Sequence, residues 1–298
     1  MGRSWGAAAA VGALLVVLLC PAPWALARAR HRAPGVIPVP ALQLDAPMRA
    51  YRAYVRELLG TLRGQLAGLS AALRSGDVPG AESDWLTAHL TWLRIGQDDG
   101  AYGAFGQLGR QIDGTAAGLV GGVDDPQFTG FHKVELDLWT RGDVAAATAD
   151  AAVLSELVAR LAARPLGPEL PMTPVGLSIW TLRAHEILED ALRDSLSGDD
   201  EYGSGTALAS VMADVGATRE MLSLLAPVIA PRSPRLVGRA RRQLDAVVGA
   251  AQAGQVNGRW VAVSELPTAA RERVDAAVGA VLETLAPIPD LLQVAGGT

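Results

Sequence analysis

From Met48 onward, apolar residues recur at steps of three and four along most of the chain, the spacing of amphipathic helices. The clearest stripe consists of Met48, Tyr51, Val55, Leu58, Leu62, Leu66, Leu69 and Leu73. After a turn at 76–80, the same period predicts helices at about 81–95, 101–120, around His132, and at 143–163, 174–197, 205–229, 233–254 and 264–285. No segment of useful length alternates with period two, so no strand is predicted.

One segment interrupts this helical pattern. Prolines stand at positions 165, 168, 171 and 174, and proline inside a helix removes a hydrogen bond and clashes with the preceding turn. Thr173 before Pro174 has the form of an N-cap followed by the first helical residue. The fold class predicted is all-α, with two four-helix bundles side by side, the first over 46–165 and the second over 171–298.

Composition and charge agree with packed helices. Half of the residues are apolar and only 5% are aromatic, with Ala, Leu and Val in the majority, whereas a sheet would draw more on β-branched and aromatic residues. The formal net charge of −5 and the lack of a basic patch with interleaved aromatics exclude nucleic acid as a partner. Nucleophile elbows, phosphate loops and dinucleotide fingerprints are also missing, so the chain is not predicted to be an enzyme.

The N-terminus has the pattern of an export signal. Arg3 precedes an apolar run at 7–20, which is too short for a membrane span, and Ala25-Leu26-Ala27 fits a cleavage site. We expect a signal peptide over 1–27, a flexible tether over 28–45 and an extracytoplasmic location, either periplasmic or at the cell surface. Lipid anchoring at Cys20 is the less favoured alternative, because a small residue does not precede the cysteine.

The candidate chemistry lies in DPQFTGFHKVELDLW, residues 125–139. His132 and Glu135 are three positions apart, which places both side chains on one face of a helix. A nitrogen and a carboxylate oxygen presented together make half of a metal site. The alternative is an ordinary hydrogen-bonded helix pair, which this spacing also produces.

The same segment, with its GFHxxE motif, resembles the imelysin-like family and in particular its EfeO branch of extracytoplasmic iron-uptake proteins. FGQLGRQID at 105–113 and LSGDDEYGSG at 196–205 match further family segments, and the pair Glu189-Asp190 stands where the family has a helical acidic pair. The resemblance covers roughly residues 50 to 290. It implies a pair of four-helix bundles. EfeO proteins usually carry a cupredoxin-like domain as well, which is not expected in this chain.

The resemblance also implies a metal site with His132 supplying nitrogen and with Glu135, Glu189 and Asp113 supplying oxygen. Other family carboxylates are missing, since Leu93 and Gly96 replace glutamates, as does Gly216. Asp98 and Asp99 stand just beyond the lost pair, but a shift of two residues turns a helical side chain by about 200°, which argues against them as substitutes. We therefore expect weaker binding than is typical of the family.

Two other histidines are interpreted as structural. His89 lies beside the apolar stripe of Trp85 and Trp92 and is expected to be a histidine at the edge of the core rather than a ligand. His185 shares a helix face with Glu189 and is expected to form an exposed pair with it. The second histidine of a zinc-protease helix is not present at that place.

The function expected from these observations is capture of ferrous or ferric iron and its delivery to a membrane iron permease, with a haem peroxidase as a further partner implied by the family. Zinc and copper(II) are alternative metals, while copper(I) is disfavoured because the mature chain would have no thiol. Two alternatives remain: a metal-free surface interaction module and a metallopeptidase.

Overall fold

The computed structural model describes residues 37–97 and 103–296, which belong to one compact unit. Helices account for 71% of the described residues, and the predicted all-α class is confirmed. The predicted signal peptide, Cys20, Asp98 and Asp99 lie outside the described residues, as does the first half of the predicted tether, residues 28–36. No helix in the described ranges is long and apolar enough to cross a membrane.

Eleven α-helices are found in the described ranges, two of which continue into a π-helical turn. They are α1 (Leu42–Ser75), α2 (Val78–Leu93), α3 (Gly106–Asp113), α4 (Phe131–Glu135), α5 (Val144–Ala162), α6 (Leu166–Glu169), α7 (Pro174–Asp190), α8 (Ala207–Ile229), α9 (Leu236–Gln252), α10 (Thr268–Leu285) and α11 (Ile288–Leu291). The π-helical turns are Leu136–Arg141 after α4 and Ala191–Ser195 after α7. Short 3₁₀ turns are formed by Gly122–Asp124 and Val263–Glu265.

Helix α1 is the central element of the packing. Its predicted apolar stripe from Met48 to Leu73 is buried except at Leu58, where the neighbouring Leu59 is buried instead. The helix packs against α2, α5 and α8. Helix α8 also packs against α2, α7 and α9, and α9 packs against α10. The buried apolar residues of these helices form one continuous core, which is the main source of stability for helices of this kind.

The segment at 165–174 contains the short helix α6 and an irregular stretch before α7. The predicted N-cap is confirmed, because Thr173 Oγ1 accepts a hydrogen bond from the Gly176 amide at 3.1 Å. Arg52 of α1 donates to the carbonyl of Leu170 at 3.1 Å, and helices from both sides of the segment pack together. The division into two bundles stays a prediction.

Three local expectations were wrong. Helix α3 covers eight residues instead of 101–120, because the glycine-rich stretch after Asp113 leaves the helical conformation at Gly114. Helix α1 begins at Leu42, inside the predicted tether. A two-stranded antiparallel ribbon, β1 (Gln255–Val256) and β2 (Arg259–Trp260), was also missed; its turn is Asn257-Gly258, with φ of 52° and 78°, a strong hairpin signal.

Candidate metal centre

The helix that carries His132 begins very close to the end of α3. Gly130 has φ of 90°, and a Cβ at this position would lie 2.1 Å from the carbonyl oxygen of Ile112, so only glycine fits. Thr129 Oγ1 also donates to the carbonyl of Gln111 at 2.8 Å. These backbone contacts bring the first turn of α4 beside Asp113, the last residue of α3.

Helix α2 is joined to α4 by the indole of Trp85, whose Nε1 donates to the carbonyl of Phe131 at 2.9 Å. One turn later in α2, His89 lies between the rings of Trp85 and Phe131, with ring centroids 4.9 and 5.0 Å away. The two aromatic rings therefore fix the position of the imidazole. His89 faces His132, with 5.2 Å between the ring centroids.

Three side chains from three helices converge at this place. Asp113 Oδ1 is 3.1 Å from His89 Nε2 and 3.5 Å from His132 Nε2. Potential ligand atoms of the three residues lie within 4.8 Å of one another, and all three side chains are almost completely buried. We refer to His89, Asp113 and His132 as the His-Asp-His cluster.

The cluster contains polar atoms that the protein leaves without hydrogen bonds. Three atoms of the cluster have no hydrogen-bond partner of acceptable geometry among the described residues: Nδ1 and Nε2 of His89 and Oδ1 of Asp113. Buried polar atoms are nearly always satisfied, since leaving one unpaired costs about 1–3 kcal/mol. The exceptions here are two imidazole nitrogens and a carboxylate oxygen, which are atom types that bind metal ions.

Glu135 lies on the opposite side of the His132 ring from Asp113. Its Oε2 is 3.1 Å from His132 Nδ1, and its Oε1 accepts hydrogen bonds from the amides of Tyr202 and Ser204, both at 3.0 Å. A carboxylate on one imidazole nitrogen fixes the orientation of the ring. Glu135 occupies that position, while His132 Nε2 faces Asp113.

The interaction between His132 and Glu135 shifts the pKa values of both side chains. Burial alone lowers the pKa of His132, but the hydrogen bond with Glu135 and the negative charges of Asp113, Glu135 and Asp200 outweigh burial and raise that pKa to about 9. For Glu135, burial raises the pKa, yet the hydrogen bond and charge of His132, with the Ser204 amide, leave it below its usual value. Without a metal, the pair is therefore an imidazolium and a carboxylate at neutral pH.

Glu189 does not join the cluster. Its side chain is 56% exposed and pairs with His185 at 3.4 Å, as the alternative interpretation of these two residues predicted. The neighbouring Asp190 is the buried member of the acidic pair, because consecutive helical residues point about 100° apart. Asp190 is held by Arg183 at 2.8 Å.

The structure thus brings His132, Glu135 and Asp113 together, leaves Glu189 outside and adds His89. Sequence reasoning missed His89 because a single histidine on an apolar helix face is usually part of the core. No local pattern distinguished it, because His89 stands one turn after Trp85 on the apolar face of α2.

No protein-family model matches the chain. At 23% identity over 253 residues, 85% of this chain resembles the "Iron uptake system component EfeO" of Yersinia pseudotuberculosis serotype I (strain IP32953). A protein of the same name from Escherichia coli (strain K12) is 24% identical over 198 residues, or 66% of this chain. The matches span 65% and 51% of those proteins' own lengths. These distant relatives support an EfeO-like family.

Proposed function

We propose that this chain is an exported, EfeO-like protein with an imelysin-like fold, which binds iron as cargo at the His-Asp-His cluster and passes it to a membrane iron permease. The observation that carries the proposal is the convergence of buried ligand atoms on His89, Asp113 and His132 within 4.8 Å of one another, including atoms of His89 and Asp113 that make no hydrogen bond. The names of the relatives supply the expectation of iron.

The separations in the cluster suit a bound cation. Metal ligands of this kind lie about 2.0–2.2 Å from the ion, which places neighbouring ligand atoms about 3.0–3.5 Å apart. The separations of Asp113 Oδ1 from the two histidine nitrogens are 3.1 and 3.5 Å. Two imidazoles and one carboxylate form a set that suits ferrous iron, and zinc and copper(II) are its natural competitors.

Within such a site, His89 and His132 would supply nitrogen and Asp113 would supply oxygen. Glu135 would hold the His132 ring in place through Nδ1. Because His132 must lose a proton before its Nε2 can bind a metal, loading releases a proton and is favoured as the pH rises.

The test is isothermal titration calorimetry with Fe²⁺ under anaerobic conditions, with ferric citrate, and with Zn²⁺. We expect one ion per chain and a loss of affinity of about a hundredfold for His132→Ala, since even loss of an orienting partner costs ten- to a hundredfold. His185→Ala is the matched control, because His185 lies on α7 beside the exposed Glu189 and should bind normally.

If the unmodified protein binds none of these ions, the proposal fails and a surface interaction module becomes the better explanation. Delivery is tested separately by growth under iron limitation of a strain that depends on the permease. His132→Ala should fail to support growth there, and His185→Ala should support it.

A further inference from the structure

Exposed arginines are concentrated at the start of α9. The segment at 221–244 contains five arginines and no aspartate or glutamate, although the whole chain has a net charge of −5. Arg232, in the turn before α9, is half-buried and donates to the carbonyl of Val228 at 3.0 Å, so it serves the end of α8. The other four arginines are exposed: Arg235, Arg239, Arg241 and Arg242.

Three of these side chains form one face of α9. Arg235, Arg239 and Arg242 have the spacing i, i+4 and i+7, which places them on the same side of a helix and within about 10 Å of one another along its axis. The side of α9 that packs into the core is a different one and includes the buried Leu244 and Val247. We refer to Arg235, Arg239 and Arg242 as the arginine face.

The arginine face is not neutralised by the protein. Within the described ranges, its three guanidinium groups form no ion pair, and Asp245, the next acidic residue along the chain, is paired with Arg219 instead. Arg235 and Arg239 stand at the start of the helix, where positive charge opposes the helix dipole, and like charges at i, i+4 repel each other. The arginine face therefore does not stabilise the fold, and an anionic partner would relieve both repulsions.

The chemistry of this face fits an anionic lipid bilayer. A protein interface is centred on buried aromatic or aliphatic anchors, but none of the exposed large apolar side chains among the described residues lies at 230–245. Attraction to an anionic bilayer requires only clustered positive charge, to which each arginine near the surface adds. The arginine face has the charge without the anchors.

We propose that the arginine face docks the protein on a membrane that contains anionic phospholipid. This inference goes beyond the proposed function and does not depend on the metal site. If the protein delivers iron to a permease, docking would hold it at the surface in which the permease lies.

The test is cosedimentation with vesicles of phosphatidylcholine, either alone or mixed with phosphatidylglycerol. The unit from Val36 to Thr298 is compact and contains the continuous core, so it can be tested without the apolar run at 7–20, which would itself favour a bilayer. We expect the unit to bind only the anionic vesicles, and to be released at about 1 M salt, where charges are screened beyond about 3 Å.

The decisive variant combines Arg235→Gln, Arg239→Gln and Arg242→Gln. Each arginine near an anionic bilayer contributes about fivefold to binding, so we expect the triple variant to bind about a hundredfold more weakly. Lysine at the same three positions keeps the charge and should retain binding to the anionic vesicles.

A matched control makes the same change in net charge elsewhere on the surface. It replaces exposed arginines on three other elements: Arg56→Gln, Arg160→Gln and Arg259→Gln. This variant should bind the anionic vesicles as the unmodified unit does. Equal losses in the two triple glutamine variants would show that only net charge matters, and would overturn the proposal.

Other outcomes also decide the matter. A unit that does not sediment with the anionic vesicles at low salt, or that binds phosphatidylcholine equally well, overturns the proposal. If polyglutamate binds the arginine face while the vesicles do not, the partner is an acidic protein and the bilayer is wrong. The triple glutamine variant of the arginine face should bind metal normally, so a failure of docking is distinguishable from a failure of the proposed function.

Discussion

Helix α4 and its π-helical continuation carry two clusters of buried charge with opposite properties. On one side, Lys133 Nζ lies 2.6 Å from Asp137 and 3.2 Å from Asp150, and Asp137 also accepts from Arg141 at 3.1 Å. On the other side, the His-Asp-His cluster contains buried ligand atoms without hydrogen bonds. The two clusters therefore differ in how completely their polar atoms are hydrogen-bonded.

The paired cluster should matter most for folding. Asp137 is completely buried, and removing one partner of a buried ion pair costs about 3–5 kcal/mol. We expect Asp137→Ala to lower the free energy of unfolding by about that amount, as measured by urea denaturation. Asp124→Ala, which removes the exposed partner of Arg141, is the control and should cost less than about 1 kcal/mol.

The ion pair of His132 and Glu135 should make the stability of the metal-free chain depend on pH. His132 has a pKa of about 9 in the folded chain against 6.5 as the ordinary value, so its stabilising effect is complete below pH 6.5 and is lost as the pH rises through about 9. Glu135, with its lowered pKa, acts in the acid range, where stability falls as the pH drops below its ordinary 4.5.

Thermal unfolding in the presence of a chelator should therefore show a decline between pH 6.5 and 9. The decline should amount to on the order of 3 kcal/mol, since one pKa unit corresponds to about 1.4 kcal/mol. His132→Ala should flatten this alkaline slope. An equal slope in both proteins would show that another group titrates there.

Replacing His89 should separate binding from folding. His89→Leu removes two buried nitrogens that make no hydrogen bond and keeps much of the side-chain volume, but it also removes the 3.1 Å contact of Nε2 with Asp113. The stability of the metal-free chain should therefore change little. Metal affinity should fall about a hundredfold, or about 2.7 kcal/mol. If the variant instead loses several kcal/mol of stability, as Asp137→Ala should, then His89 is part of the core, as the sequence first indicated.

The smallest effect is expected at Glu189. Its side chain is 56% exposed and contacts His185, so Glu189→Gln should leave metal affinity and stability unchanged within error in calorimetry and urea denaturation. A tenfold loss of affinity would return Glu189 to the ligand set that the family resemblance implies.

The sequence predicted the long helices well because their apolar period extends over many turns, as in the stripe from Met48 to Leu73. It predicted short elements poorly, since α3 and the Asn257-Gly258 hairpin are too brief for a period to emerge. The ribbon could have been found from its turn residues. Helix α4, also short, was found because its motif is distinctive.

The site shows the same limit at the level of single side chains. The spacing of His132 and Glu135 predicted a shared face correctly, because it is a property of one helix. Whether Glu135 binds a cation or orients a ring depends on the amides of the loop at 196–206, which no local pattern specifies. Glu189 and Asp190 are consecutive residues whose side chains point about 100° apart around the helix, and this difference decides which of the two is buried.

The hydrogen bonds of Glu135 join residues far apart in the chain. Glu135 and Ser204 are separated by 69 positions, and closing such a long loop carries an entropic cost that must precede the contact. A nascent chain that has emerged only as far as α4 carries His89, Asp113 and His132, but it still lacks the two amides that fix Glu135 Oε1. The arrangement of side chains around the His132 ring should therefore be completed late in folding, when the loop at 196–206 reaches α4.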